Sequence, residues 1–443
     1  MKQLLGKTFP RGGTHVPHRK EGTDSKAIVV MPAPKEVIIP LSQHIGAQNK
    51  ATVSINERVL MGQVIGETEQ FVSAPVHASV SGRVKAIEDR PLMDGRKALC
   101  IVIENDGFDE SVPVKKAALE GMSPDDIKAV AKSAGIVGMG GAGFPTHVKL
   151  AVPKPVDTVI VNGAECEPYL TCDHRLMVER ADDMVLGLKA AMKAVGAAKG
   201  VIGIEVNKPD AIEVVRAAVK ADSSLDVVAL QVRYPQGAEK QLIKAALNRE
   251  VPSGALPFEV GCVVSNVHTL ISLAEAIVSG TSSYQRVLTV SGKASVDPRN
   301  LVARVGTKVQ DVVDFCGGMY GEPAVIVAGG PMTGPAVECL EGPVLKNTSG
   351  ILLLTEDEIA LDENRPCIRC ARCVDYCPMG LTPNVLGLFS DKGRIEDAAH
   401  WNLMDCIECS VCSYVCPSRR ALVTWIKHGK QDYVALQRQR KAE

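Results

Sequence analysis

Eight of the fourteen cysteines stand in two copies of one spacing near the C-terminus. The first copy is Cys367-x2-Cys370-x2-Cys373-x3-Cys377-Pro378, and the second is Cys406-x2-Cys409-x2-Cys412-x3-Cys416-Pro417. Three thiols two residues apart wrap a common centre in a tight loop, which leaves little choice of local shape. Zinc is the plain alternative, but zinc sites are usually closed by two pairs of ligands. Two triplets, each trailed by Cys-Pro, do not have that form. The compartment bears on the same question. The opening MKQLLGKTFPRGGTHVPHRK is basic but has no apolar run long enough for a signal peptide. The best uncharged run, 260–274, contains Ser265, Asn266, His268 and Ser272 and is too short to span a bilayer. The expectation is a cytoplasmic chain whose thiols are reduced and bind metal.

The spacing is that of two-cluster bacterial ferredoxins, in which the fourth cysteine of each run ligates the other cluster. It assigns Cys367, Cys370, Cys373 and Cys416 to one [4Fe–4S] cluster, and Cys406, Cys409, Cys412 and Cys377 to the other. Helix-like stretches at 384–390 and 395–403 make residues 365–418 a helix-rich dicluster domain. Each cluster passes one electron at a time, so the pair forms a short wire that needs a terminus at each end.

From residue 125 the pattern alternates. Helices are expected at 125–134, 173–195, 209–220, 238–247 and 269–278, and strands at 157–161, 201–206, 226–232 and 260–265. Strands alternating with helices imply a parallel sheet covered on both faces, with ligands beyond its C-terminal strand ends. Three segments fall at those ends. Gly138-Met-Gly140-Gly141-Ala-Gly143-Phe144-Pro145 lets backbone N–H groups approach a phosphate or a flat ring, with Lys149 as a nearby cation. A flexible turn is the bland reading. Asn162-Gly-Ala-Glu165-Cys-Glu167 can meet ring edges or ribose hydroxyls, or be an acidic turn. Ser265-Asn266-Val-His268-Thr269 can do the same, or simply cap a helix.

These segments together resemble the flavin-bearing, NADH-oxidising subunit of respiratory complex I. That family carries GRGGAGFPTG, NADESEPG, Tyr-x-x-Gly-x-Glu and NNVET; this chain has GMGGAGFPTH, NGAECEP, Tyr234-Pro-Gln-Gly237-Ala-Glu239 and SNVHT in the same order. The resemblance implies that Gly138, Gly140, Gly141, Gly143, Lys149, Asn162, Glu165, Tyr234, Gly237, Asn266 and Thr269 hold FMN. It also implies that Phe144 stacks on the dinucleotide, and that Glu167 and Glu239 face its nicotinamide and ribose side. Glu167, Phe144 and Lys149 are then the residues nearest the hydride step. The departures are Met139 for Arg, His147 for Gly, Ala164 for Asp and His268 for Glu. A flavin is also what the chemistry asks for, because NAD(H) exchanges a hydride and the clusters accept single electrons.

The flanking modules extend the resemblance. Residues 1–115 read as a β half-barrel of the barrel-sandwich hybrid kind; its turn, 73–84, lacks the lysine that would make it a swinging-arm carrier. Residues 116–283 read as a Rossmann-like FMN/NAD domain, 284–345 as a β-grasp domain and 346–364 as a linker. Residues 419–443 read as a basic helix, with seven Lys or Arg against two acids in 418–443. Trp425, Ile426, Tyr433 and Leu436 are interspersed on it. It can dock on lipid or a partner, or be a solvated face. This multidomain α/β order resembles the RnfC component of the Rnf complex, the membrane-bound ion-translocating ferredoxin:NAD oxidoreductase. The resemblance implies two [4Fe–4S] clusters, FMN, and NAD(H) as substrate. It implies other Rnf-type subunits as partners, integral membrane ones included, with ferredoxin reached indirectly. It implies a peripheral place on the cytoplasmic side of the cell membrane. A net charge of −1 argues against a nucleic-acid partner. Two other readings stay open: a soluble reductase of the cobalamin-reductase kind, which shares these modules, and a non-catalytic scaffold whose clusters are only a wire.

Overall fold

The computed structural model describes residues 6–359 and 364–442. A four-stranded parallel sheet lies at its centre. Its strands Leu225–Leu230, Lys199–Glu205, Thr158–Gly163 and Cys262–Asn266 are neighbours in that order. Alternation along the strands splits the core in two. Val159, Val161, Ile202 and Ile204 point into one apolar layer, with Met184, Leu188 and Leu270. Ile160, Val201 and Val264 point into the other, with Leu242 and Ile243. Both faces are therefore covered, as an all-parallel sheet requires.

The helix expected over 173–195 is two helices, Cys172–Glu179 and Ala181–Val195. Arg180 between them has φ −133° and ψ 34°, and its guanidinium ties Asp183 to Glu275. Amphipathic periodicity runs through such a break, so it cannot reveal it. The second helix packs closely on Val267–Val278. A Cβ built on Gly187 would stand 1.9 Å from the Leu270 carbonyl oxygen. Gly187→Ala gains about 1 kcal/mol in helix propensity but overpacks the contact by up to about 3 kcal/mol. The expected result is a net loss near 2 kcal/mol in chemical denaturation; a variant as stable as the parent would show that the helices can separate freely.

A second, mixed sheet orders Val29–Val30, Arg299–Arg304, Gln285–Ser291, Gly350–Leu354 and Val325–Ala328. Helix Val309–Phe315 packs on it through Val309, Val312 and Val313. Two differences from the sequence-based expectation arise here. The stretch expected as a linker, 346–364, supplies the buried strand Gly350–Leu354, whose five residues GILLL read too briefly to signal it. Residues 360–363 lie outside the described residues. Val29–Val30, expected in the half-barrel, pairs instead with Arg299–Arg304.

The half-barrel is built from a four-stranded sheet (Glu36–Pro40, Lys97–Asn105, Gly82–Pro91, Arg58–Val59) and a three-stranded one (Lys50–Ala51, Val64–Glu67, Val76–His77). They close on Val37, Ile39, Ile65, Val76, Ile101 and Ile103. Lys346 stitches three modules together, its ammonium donating to Pro75 O at 2.8 Å and Gly135 O at 2.7 Å.

Residues 6–20 run outside the half-barrel as a strap over the central sheet. Lys7 bridges to Leu230 and Thr14 to Tyr234, and Gly13 N donates to Tyr376 O at 2.9 Å in the cysteine-rich domain. That domain carries helices Pro383–Asp391, Ile395–His400 and Leu422–Ala442. Ile426 is buried among Leu386, Ala398 and Leu403, with Tyr433 against them. These two apolar residues of the basic helix thus pack inward, which removes them from any lipid-docking face. Among the described residues, no helix is long and apolar enough to cross a membrane.

Candidate functional site

Asn162 and Asn266 end adjacent parallel strands and stand opposite each other. The strand order reverses at this pair, because the chain winds outward from Thr158–Gly163 in one direction and then returns to its other side. Such a switch point opens a crevice beyond the strand ends. The Gly-rich loop closes over it. A Cβ on Gly140 would lie 3.0 Å from Asn266 Cβ, so any larger residue would press the loop against Asn266. The loop is pinned at three points: Gly138 N donates to Phe144 O at 2.8 Å, Met139 N to Thr269 Oγ1 at 2.9 Å, and Asn347 Nδ2 to Gly141 O at 3.0 Å. From beneath, the buried Arg286 guanidinium contacts His268 Nδ1 at 2.6 Å and donates to Met139 O at 3.1 Å. Burial, reinforced by Arg286, holds His268 well below its ordinary pKa and hence neutral.

The crevice is a cavity of about 1540 Å³, open to solvent. Of the residues singled out in the sequence, Gly140, Gly141, Asn162, Glu165, Glu167, Tyr234, Gly237 and Asn266 line it. Gly138, Gly143 and Thr269 shape the loop without lining it, and neither Phe144, Lys149 nor Glu239 is on its wall. The Lys149 ammonium is held by Glu239 at 2.9 Å. The two asparagines spend much of their hydrogen bonding on the protein. Asn162 Nδ2 donates to Gly237 O at 2.7 Å, and Asn266 caps its helix through His268 N at 2.9 Å while donating to Asp173 Oδ2 at 2.6 Å.

Glu165 adopts φ 44° and turns its carboxylate onto the start of the Cys172–Glu179 helix, accepting from Asp173 N at 2.7 Å and His174 N at 3.2 Å. Burial pushes it up to about 7, against the downward pull of Lys20. Burial also raises Glu167, which accepts from Thr333 Oγ1 at 2.7 Å, Met332 N at 3.0 Å and Tyr234 OH at 3.2 Å. Glu167 therefore ties the flavin-type loop to the loop after Val325–Ala328.

Three residues of the site carry no signal in the sequence. Lys20, from the strap, donates to Glu165 O at 2.9 Å, Glu167 O at 3.0 Å and Leu170 O. Arg286 is buried under the Gly-rich loop. Asp173 lines the cavity with Oδ1 buried and, among the described residues, without a hydrogen-bond partner, and burial raises its carboxyl. That orphaned oxygen is what a bound ring with polar edges would satisfy, and so the cavity fits a flavin. Of the six cysteines outside the two runs, Cys100, Cys172, Cys262 and Cys316 are buried. Cys166 lines the cavity, with Sγ accepting from Gly237 N at 3.3 Å.

The eight remaining cysteines ring two further cavities in the crossed sets read from the spacing. Cys406, Cys409, Cys412 and Cys377 line one of about 370 Å³. Cys367, Cys370, Cys373 and Cys416 line the other, of about 1210 Å³ out to its mouth. The loops are near copies. Arg369 and Ala371 take φ 56° and 61°, Glu408 and Ser410 take 56° and 63°. Arg369 N donates to Cys367 Sγ and Glu408 N to Cys406 Sγ, both at 3.4 Å. Left-handed backbone at non-glycine residues is strained and persists where the surroundings demand it. Here it curls N–H groups toward sulfur, as a cluster with charged sulfurs requires. Among the described residues, no three His, Cys, Asp or Glu side chains converge on a single ion; the thiols stand around spaces instead.

Three of the modules match known protein families. Residues 7–108 match the RnfC barrel sandwich hybrid domain, 131–275 the Nuo51 FMN-binding domain and 366–419 the 4Fe–4S dicluster domain. The RnfC-type component of the Na⁺-translocating ferredoxin:NAD⁺ oxidoreductase complex of Acetobacterium woodii is 48% identical over 432 residues, covering 97% of this chain and 98% of its own. The chain belongs to the RnfC family. The corresponding component of the proton-translocating complex of Clostridium ljungdahlii is 44% identical, covering 98% of this chain and 96% of its own. That of the ion-translocating oxidoreductase complex of Rhodobacter capsulatus is 40% identical over 400 residues, 89% of this chain and 77% of its own. As a member of this family, the chain has FMN and 4Fe–4S clusters as its cofactors, in the α/β and dicluster domains respectively.

Proposed function

We propose that the chain is the peripheral NAD(H)-linked subunit of a membrane ferredoxin:NAD oxidoreductase complex, on the cytoplasmic side, with ion translocation carried by integral membrane partners. One observation carries this reading. Glu408 and Cys409, from the second cysteine loop, line the same cavity as Asn162, Glu165 and Asn266. A group bound there adjoins the cluster of Cys406, Cys409, Cys412 and Cys377, and the cluster of Cys367, Cys370, Cys373 and Cys416 continues the path. In this reading the parallel sheet is a Rossmann-like platform and the mixed sheet a β-grasp-like module.

FMN, when bound, supplies the exchange between hydride and single electrons. The chain's own residues do the rest. Gly140 and Gly141 present backbone, Asn162, Glu165, Tyr234, Gly237 and Asn266 frame the pocket, and Asp173 offers its free Oδ1 to a polar ring edge. Glu167 is the carboxylate left for the nicotinamide side. Phe144, Lys149 and Glu239 are not on the cavity wall, and the last two are paired with each other. The Na⁺- and proton-translocating relatives are nearly equally similar to this chain, in keeping with ion choice residing in other subunits.

The test uses the full chain reconstituted with FMN, iron and sulfide. NADH is expected to reduce ferricyanide and to bring up the EPR signals of reduced clusters. No flavin uptake together with no NADH oxidation would refute the reading.

A further inference from the structure

The two cysteine loops are near copies in backbone, yet opposite in charge. The first reads Cys-Ile-Arg369-Cys-Ala-Arg372-Cys, the second Cys-Ile-Glu408-Cys-Ser-Val411-Cys. Arg369 and Glu408 hold the same place, with φ 56° and the same N–H to sulfur bond. Glu408 is neutralised by Lys430 at 2.5 Å and lines the flavin cavity. Arg369 and Arg372 are exposed, and among the described residues neither has an ion-pair partner.

The surroundings differ in the same sense. Cys367 and Cys370 are exposed, whereas Cys406 and Cys409 are half-buried. Ile368 is 67% exposed beside the arginines. Around the corner, an open cleft of about 820 Å³ is walled by Arg372, Tyr376, Tyr414 and Cys416. Over 366–381 two arginines stand against one acid, Asp375. A fold that needed only to hold two clusters would have no cause to make one end acidic, ion-paired and inward, and the other basic, outward and, among the described residues, without an ion pair. An exposed cluster surrounded by arginines and apolar side chains is built for transient contact with a charged protein surface, which charge steers and aligns.

We propose that the Arg369–Arg372 face is the electron-exchange surface of this chain, and that its partner is an electron-carrying protein presenting carboxylates. This rests on the proposed function above. One electron passes across the face at each encounter. Each NADH, oxidised to NAD⁺ with release of one proton, serves two encounters with a one-electron acceptor.

The probe is cytochrome b5, an acidic haem protein, with basic cytochrome c as its counterpart and ferricyanide as the control. Reconstituted full-length protein is expected to reduce two cytochrome b5 per NADH, more slowly as salt rises. R369E/R372E is expected to lower kcat/KM for cytochrome b5 by roughly tenfold or more. It should raise the value for cytochrome c and leave ferricyanide reduction unchanged. Glu408 shows that glutamate is tolerated at this backbone position. Should the double reversal disturb cluster assembly, R369Q/R372Q gives the same order with a smaller drop. Unchanged cytochrome b5 kinetics with intact ferricyanide activity would overturn the proposal. So would variants that lose only binding to phosphatidylglycerol vesicles, which would make this a lipid surface. Absence of NADH activity with every acceptor would instead strike the proposed function itself.

Discussion

Replacing either Cys377 or Cys416 with alanine should remove one four-iron cluster and leave the other, so that iron falls to about four of eight atoms per chain. The pairing is what the structure makes specific. Cys416 shares its cavity with the first triplet and Cys377 with the second. Pairwise combinations therefore separate crossed from uncrossed ligation. C416A/C367A strikes one set twice and should keep the cluster of the second triplet. C416A/C406A strikes both sets and should lose both clusters. The reverse outcome, with C416A/C406A keeping one cluster, would mean that each run binds its own. The effect on electron flow is unequal. Losing the set that contains Cys409 removes the group next to the flavin cavity and should abolish transfer to proteins. Losing the set that contains Cys367 should leave NADH–ferricyanide activity intact.

What could be read from the sequence follows from how local each signal is. The cysteine runs are short-range, and their spacing alone anticipated the grouping of the thiols around two spaces. The parallel sheet was legible because buried strands and amphipathic helices alternate with clear periods, but its strand order, and with it the switch point, appears only in the fold. The Arg180 break was not legible, since a helix pattern continues in phase across a single non-helical residue. Gly350–Leu354 was hidden in a stretch that looked like a connector, because a strand of five residues buried on both faces has no alternation. The pocket wall was legible only in part. Asn162 and Asn266 line the cavity at the strand ends, whereas Phe144 and Lys149 are not on its wall. No periodicity reports which way a loop side chain faces. The least legible element was the strap, whose residues act on a loop about 145 positions away.

Lys20 is the strap's decisive residue, and its removal should cost the flavin. Its ammonium donates to three carbonyls, Glu165 O, Glu167 O and Leu170 O, and lies 3.9 Å from the Glu165 carboxylate. A neutral amine has only two N–H donors, so this geometry requires the charged form, although burial pulls the group down from its usual value. Lys20→Met keeps the bulk of the side chain but strands the three carbonyls and leaves Glu165 buried without its cation. Breaking a buried pair in this way costs about 3–5 kcal/mol. Because the carbonyls belong to the loop 165–170, the first expected loss is the shape of the cavity wall. K20M should copurify with little FMN, bind added FMN at least tenfold more weakly, and melt earlier than the parent. Adding Glu165→Gln removes the uncompensated carboxylate and should recover part of the melting temperature. FMN affinity should stay low, because the carbonyls remain without a donor. A K20M protein that holds FMN like the parent would show that the loop keeps its shape without the strap.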